Sequence, residues 1–296
     1  MSLISRKEMA ADLAEVHERM FKCPHCGSSM KVTDRKSLVC TRRHTFDFAR
    51  QGYVHLAGTS VKTQYGKELF EARRKLLAET GWFRRLDETV AAFVAEQTPE
   101  RDGLRILDAG CGEGTHLAEI CGQLVRRGRN ATGFGVDLAK EGIMTAARSY
   151  REQIWVVGDL ARTPFADGSF DVILNILSPS NYGEFRRLLK PGGLLVKVVP
   201  GPDYLLELRK SFFDDPGKQA YSNEAVVDRF RERFRMLDRM RLRHAVPLNR
   251  EDAEALVLMT PLGWNVPEEK VRAFLERRPR EITLDLEIIA GQTAEG

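Results

Sequence analysis

Short apolar runs recur between Leu104 and Val199, each separated from the next by a stretch with helical spacing. The runs are Arg105-Ile106-Leu107, Gly133-Phe134-Gly135-Val136, Ile154-Trp155-Val156-Val157, Phe170-Asp171-Val172-Ile173-Leu174 and Leu194-Leu195-Val196-Lys197-Val198-Val199. Such alternation predicts an α/β fold, Rossmann-like, with a doubly wound, mostly parallel sheet. Upstream, apolar positions at helical spacing predict helices near 67–79 and 82–97, and a short amphipathic helix in 1–20 with Met9, Leu13, Val16 and Met20 on one face. Between them, Lys31–Thr33 and Ser37–Val39 read as two short strands around a polar turn at Asp34-Arg35. The aromatic stretch Phe46–Leu56 follows, and Gly58 to Gly66 is a polar linker. The expected organisation is an N-terminal extension (1–20), a small module (21–57), a linker with helices (58–103) and the sheet domain (104–296).

Chemistry enters first through the small module. Cys23, Cys26, Cys40 and His44 fall within 22 residues, and only Cys111 and Cys121 lie elsewhere. A C-x2-C turn aims two thiolates at one point, and the C-x3-H pair supplies the other half of a tetrahedron. Three sulfurs and one nitrogen form a closed site suited to structural zinc, with no position open for water. Disulfides or idle thiols are the alternative. No secretory apolar segment precedes the cysteines, so a reducing, cytoplasmic setting is expected. His25 lies inside the C-x2-C turn and is expected to point away from the metal. The aromatic rings after His44 are expected to cover the zinc site rather than stack on bases, because so small a module has little other core.

Composition narrows the class. The 296 residues are 43% hydrophobic and 30% charged, as in an ordinary soluble protein, and no apolar run is long enough to span a bilayer. The formal net charge is +4, but it is unevenly placed. From Lys22 to Arg85 there are 14 Lys and Arg against 5 Asp and Glu, whereas the remainder is mildly acidic. A basic segment around a metal module, including Arg73, Arg74, Lys75, Arg84 and Arg85, points to a polyanionic partner such as nucleic acid. Seven arginines also lie between Arg229 and Arg243. On a strand, Arg239, Arg241 and Arg243 share one face, either as a phosphate contact, the reading preferred here, or as a charged edge that resists aggregation.

The first run of the sheet leads into Leu107-Asp108-Ala109-Gly110-Cys111-Gly112-Glu113-Gly114-Thr115. Alternate glycines let the backbone turn sharply and let a ligand lie against it. An acid beside the turn disfavours a pyrophosphate and suits a cationic amino-acid group. Asp137 closes the next run, where a carboxylate can accept both hydroxyls of a ribose, and Asp159 with Leu160 closes the third, beside an adenine amino group. Three acids at successive strand ends describe a nucleoside site with an aminoacyl end.

The segments DAGCGEG, FGVD, GDLARTPFADGSFDVIL and LLKPGGLLVKVVP resemble the successive motifs of class I S-adenosylmethionine-dependent methyltransferases. The resemblance implies Asp108, Gly110, Gly112 and Gly114 around the methionine part, Asp137 on the ribose, and Asp159 and Leu160 around adenine. Cys111 is expected to be a small structural residue of the turn. CPHCGSSM, CTRRHTFDFARQGYVHLAG, EARRKLL, VVPGPDYLLELR, RMRLRHAVPL and LVLMTPLGW further resemble the bacterial 23S ribosomal RNA (guanine-N1)-methyltransferases, over nearly the whole chain after residue 21. That likeness implies Cys23, Cys26, Cys40 and His44 as zinc ligands and Phe83, Thr115, His116 and Tyr204 as further cofactor contacts. It implies a hairpin of 23S ribosomal RNA as partner. The oligomeric state is open, with a homodimer among the arrangements allowed.

Guanine N1 carries a proton at neutral pH, so methylation there requires its removal. The stretch at the fourth strand end, Asn175-Ile176-Leu177-Ser178-Pro179-Ser180-Asn181, holds no carboxylate before Glu184. Asn175 is a candidate for orienting the base, set against simple capping of the strand, and no general base is identified. The competing reading is a zinc-bearing methyltransferase of a small metabolite or antibiotic. The basic excess of residues 22–85 argues against it, because a small substrate needs no distributed positive surface.

Overall fold

A computed structural model describes residues 4–58, 65–100, 103–277 and 279–293. Helix α1 (Arg6–Val16) starts at a capping box formed by Ser5 and Glu8. Its buried residues are Ala10, Ala11 and Ala14, while Val16 is exposed. This differs from the expected Met9, Leu13, Val16 stripe: small residues let the helix lie close against its neighbours, Leu13 is only partly buried against the core, and Met20, in the 3-10 turn that follows, joins it. A three-stranded antiparallel sheet comes next, of β1 (Met30–Thr33), β2 (Ser37–Cys40) and β3 (Thr45–Asp47). The first two pair through Val32 and Leu38 about the predicted turn, where Asp34 and Arg35 take the left-handed conformation.

The next strand, β4 (Tyr53–His55), leaves this small sheet and pairs in parallel with a strand of the large one. Helices α2 (Lys67–Arg74) and α3 (Arg84–Gln97) follow, joined in part by a π-turn at Lys75–Glu79. Most of the expected linker, residues 59–64, lies outside the described residues. The chain then alternates β5 (Leu104–Ala109), α4 (Thr115–Arg126), β6 (Ala131–Asp137), α5 (Lys140–Ser149), β7 (Ile154–Val157), β8 (Phe170–Ile176), α6 (Tyr182–Leu188) and β9 (Leu189–Pro200). After α7 (Leu206–Phe212), α8 (Pro216–Gln219) and α9 (Glu224–Arg231) come β10 (Arg235–Pro247), α10 (Arg250–Met259), α11 (Glu268–Glu276) and β11 (Glu281–Gln292).

The large sheet has eight strands in the order β10-β11-β9-β8-β5-β6-β7-β4. Six are parallel, and the last two strands of the chain add antiparallel at one edge, so the expected mostly parallel sheet is present. The order reverses beside β5, and ligands of such sheets sit in the crevice that opens there, at the carboxyl ends of the strands. Two findings cut across the expected domain limits. Tyr53–His55 belongs to the large sheet although it falls within 21–57, and α3 packs on α4 although it falls within 58–103.

The arginine-rich strand also differs from expectation. On β10, Arg239 pairs with Glu287 and Glu224, Arg241 with Asp285, and Arg243 with Asp203. The stripe shares one face as predicted, but carboxylates of β11 and the neighbouring segments neutralise it, so it is a charged sheet edge and not a phosphate contact. Among the described residues, no helix is long and apolar enough to cross a membrane.

Candidate active site and metal centre

In the small sheet, the tight turn after Cys23 and the turn between β2 and β3 bring four ligand atoms together. Those of Cys23, Cys26, Cys40 and His44 lie within 4.8 Å of one another. His44 Nδ1 stands 3.5 Å from Cys23 Sγ and 3.4 Å from Cys40 Sγ, and the sulfurs of Cys26 and Cys40 are 3.7 Å apart. Zinc–sulfur bonds of about 2.3 Å place the sulfurs of a tetrahedron roughly 3.7–3.8 Å apart, so the donor set fits zinc. His25 is outside the set: its ring stacks on Phe46, with centroids 5.5 Å apart, and meets His44 edge-on. Phe48 is buried in the core that the ribbon shares with the sheet, and Tyr53 is buried in the core of the large sheet.

The ribbon is joined closely to the large sheet. Lys22 N donates to Pro164 O and Ala166 N to Met20 O, and Phe21 bridges to Phe165, both rings fully buried. The segment 164–166 is continuous with the Asp159-Leu160 strand end. The metal module therefore braces one wall of the crevice.

At the centre of the crevice, the loop after β5 is held by Gly110 N and Cys111 N, which both donate to Val136 O at the end of β6. Gly110, Gly112 and Gly114 all have positive φ. A Cβ at Gly110 would overlap Ser178 Oγ, and one at Gly114 would enter the Trp155 ring. These glycines thus serve close packing as well as the turn. Asp137 accepts from Gly112 N at 2.9 Å and from Ala139 N at 2.7 Å, which fixes its carboxylate at the strand end. Asp159 is exposed and caps its own turn through Ala161 N, while Leu160 lies across from Gly110.

Beneath the loop, Asp108 is buried with one carboxylate oxygen unpartnered. Burial pushes its pKa up to about 7, against the opposing pull of His116 and Arg73. His116 is also buried: Nδ1 bonds Asp87 Oδ1 at 2.7 Å, and Nε2 has no partner. Burial works against its imidazolium, but the Asp87 carboxylate outweighs this and raises the pKa. Phe83 is fully packed in the core and supports the site from behind, its ring edge-on to His116 at 5.5 Å. Thr115 Oγ1 bonds the Tyr150 hydroxyl at 2.9 Å. A glycine cradle with an unpartnered acceptor and an unpartnered imidazole nitrogen fits an amino-acid-bearing nucleoside such as S-adenosylmethionine.

Helix α2 closes this loop from above. Arg73 Nε stands 2.8 Å from Glu113 Oε2, and the Phe70 ring lies over Gly112. Arg73 is therefore largely buried beside the cofactor loop, which corrects its expected place on a phosphate-binding surface. Arg74 is taken up by Glu79.

A cavity of about 490 Å³ opens beside the loop, between Leu177–Ser180, Lys197–Pro200 and Tyr204. Tyr221 and Arg229 form its outer side. Asn175 is fully buried next to it, with Nδ2 on Ala109 O and Pro179 O and with Oδ1 accepting from Lys197 Nζ and Ser180 Oγ. All its polar atoms are engaged in holding the strand end, which favours the capping reading over direct contact with a substrate base. Glu184 points away, to Thr163 and Arg187. The sequence reading did not single out Glu113, Asp87 or Lys197. A lone cation inside the apolar run of β9 is the one signal that could have drawn attention to Lys197.

A zinc ribbon followed by a sheet with this loop defines a class I S-adenosylmethionine-dependent methyltransferase. A family model described as "Methyltransferase domain" matches residues 106–193, and one described as "RlmA, N-terminal" matches residues 21–63. A Bacillus subtilis protein, YxjB, provisionally named a 23S rRNA (guanine-N(1)-)-methyltransferase, is 45% identical over 92% of this chain and 96% of its own length. The 23S rRNA (guanine(748)-N(1))-methyltransferase of Streptomyces fradiae is 31% identical over 87% of this chain and 91% of its own. The chain belongs to the 23S rRNA (guanine-N1)-methyltransferase family.

Two predictions arise here. Cys23→Ser should lose zinc and lower the melting temperature. Because the ribbon supports the 164–166 segment, it should also weaken S-adenosylmethionine binding. Calorimetry that finds zinc lost and cofactor affinity intact would show the ribbon and the crevice to be uncoupled. The second concerns Asp108. Its folded pKa lies above the ordinary carboxylate value, so its contribution to stability is complete near pH 4 and is lost as pH rises through about 7. Asp108→Asn should raise the stability of the cofactor-free protein at pH 8, on the order of 2–4 kcal/mol, and change it little at pH 4. Parallel stability-versus-pH curves for variant and wild type would refute this.

Proposed function

We propose that this chain transfers a methyl group from S-adenosylmethionine to N1 of a guanine in a hairpin of 23S ribosomal RNA, in the cytoplasm where ribosomes are built. The observation that carries the reading is the cavity beside the cofactor loop, bounded by tyrosines and opening toward Arg229. A volume near 490 Å³ accommodates an unstacked nucleotide, and aromatic walls with a cation at the rim suit a splayed base and its phosphate. The cofactor supplies an electrophilic methyl group. The chain's part is to hold the nucleoside end on Asp137, Asp159 and Leu160, the amino-acid end on the Asp108, Thr115 and His116 side, and the guanine edge toward the loop. Tyr204 lies where cofactor and base would meet. Fixed placement of the two reactants supplies much of the rate.

The ribbon supports an RNA substrate over a small metabolite or antibiotic. In the basic segment, ion pairs engage Lys22, Arg35, Lys67, Arg73, Arg74 and Lys75. The exposed Lys31, Lys36, Arg42, Arg43 and Arg50 are not among them, and they are available to phosphates. For the homodimer the support is thin: the exposed Val16, Val125 and Leu258 sit on separate helices, and Tyr65 with Trp264, ring centroids 5.3 Å apart, makes a small patch. One chain per RNA is the preferred arrangement, and sedimentation of the purified protein distinguishes the two.

The test is incubation of the purified enzyme and labelled cofactor with a transcript of the 23S hairpins, followed by mass spectrometry of nuclease fragments. The expected product is 1-methylguanine in a hairpin loop, and its absence rejects the reading. Arg42 and Arg43 together reversed to Glu should weaken RNA binding and reduce the slope of log K against log salt by about 1–2. Cofactor affinity should not change. Salt curves that superimpose on the wild type would return the small-molecule substrate to first place.

A further inference from the structure

Lys197 is buried, with 4% of its surface exposed, and is among the residues that line the proposed substrate cavity. Its Nζ donates to Asn175 Oδ1 at 2.7 Å and to Ser178 O at 3.3 Å, both neutral acceptors. No carboxylate pairs with it among the described residues. On β11 the residue opposite is Ile289, and Glu287, two places along, is engaged by Arg239. The ionisable groups facing the cavity from other elements are Arg73 on α2, Tyr182 on α6, Tyr204 before α7, and Tyr221 and Arg229 near and on α9. None of these is an anion at neutral pH. A buried cation without a counter-ion is costly, and the cost falls when the amine is neutral.

We propose that Lys197, as the neutral amine, is the catalytic base that removes the N1 proton of the target guanine. The proposal rests on the functional reading above. The N1–H bond breaks and its proton passes to the Lys197 lone pair, leaving an ammonium. The N1 electron pair forms the new bond to the methyl carbon, while the electron pair of the broken carbon–sulfur bond stays on sulfur. The ammonium then releases its proton to water when the product leaves. Asn175 Oδ1 and Ser178 O hold Nζ at the cavity wall, so Asn175 acts here as a positioning residue. Burial alone lowers the Lys197 pKa to about 8, which leaves a useful fraction of amine near neutrality. The general base missing from the Asn175–Asn181 stretch is thereby supplied from the neighbouring strand.

The experiment uses the full-length zinc-loaded enzyme and the RNA hairpin under single-turnover conditions. The wild-type rate should rise with pH with unit slope and level off above about pH 8. Lys197→Arg keeps a cation and hydrogen-bond donors but cannot give up a proton, and it should lose on the order of 10²-fold or more in rate, along with that limb. Lys197→Ala should lose as much and be partly restored by added primary amines. A readout independent of turnover is stability. A lysine with a lowered folded pKa binds fewer protons folded than unfolded, so wild-type stability should rise with pH between about 8 and 10.4. Lys197→Met should abolish that rise and be more stable than wild type at pH 7. Retained wild-type rate and pH limb in Lys197→Arg overturn the proposal and leave the functional reading intact. A wild-type enzyme that makes no 1-methylguanine overturns both.

Discussion

The loop from Gly110 to Gly114 depends on one steric constraint, the Trp155 ring lying directly beneath it. Trp155 is fully buried on β7, and its ring fills the space that a Cβ at Gly114 or Gly135 would need. Its indole N–H is satisfied by Tyr150 O at 2.7 Å, so the ring has one orientation. From above, Phe70 and the Arg73–Glu113 ion pair press on Gly112 and Glu113. A loop of left-handed glycines would ordinarily be the most mobile part of the sheet edge. Held between a ring and an ion pair, it becomes the rigid part, and Asp137 is fixed in turn because it accepts from Gly112 N.

The same reasoning changes the role of the zinc module. A ribbon on a flexible tether would search for RNA independently of the catalytic crevice. Here β4 adds to the edge of the large sheet through Tyr53–Trp155 and Val54–Val156, so the strand that ends the ribbon lies beside the strand that carries Trp155. With α1 packed in the same apolar cluster, the segment from α1 to Leu56 and the sheet share a core. The exposed cations of the ribbon then stand at a fixed offset from the methyl-transfer cavity. A fixed offset would select one position along an RNA, whereas a tether of variable length would select only RNA in general.

How much was legible in the sequence follows from the range of each interaction. The ligand set Cys23, Cys26, Cys40 and His44 is a local pattern, and the structure brings its four ligand atoms together. The β1–β2 hairpin is likewise local. The sheet pairing of Tyr53–His55 with β7 spans about a hundred residues of chain, and no periodicity in a three-residue strand reveals it. Charge was misleading for the same reason. Arg73 and the Arg239, Arg241 and Arg243 stripe are basic in the sequence, but their carboxylate partners Glu113, Glu287, Asp285 and Asp203 lie 40 or more residues away. β11 does carry a strand signal, Ile282, Leu284, Leu286 and Ile288 alternating with Thr283, Asp285 and Glu287, but the ion pairs that bury its polar side against β10 are not local.

Asp108 and Lys197, both buried and neither in an ion pair among the described residues, bear on the chemistry jointly. Burial favours the neutral form of each, raising the carboxyl and lowering the amine. An incoming positive charge lowers the pKa of both. A cationic cofactor in the crevice would draw Asp108 toward the carboxylate, because the charge it lacked in the protein arrives with the ligand. The same charge would hold Lys197 as the amine, because a second cation nearby in a dry cavity is repelled. Cofactor binding would thus release a proton from each group and put both in the state the reaction uses. An enzyme built this way needs no carboxylate beside the guanine. A sulfonium nearby weakens a carboxylate and an amine alike as bases, but an amine that starts near 8 remains far more basic than an ordinary carboxylate and can still accept the N1 proton.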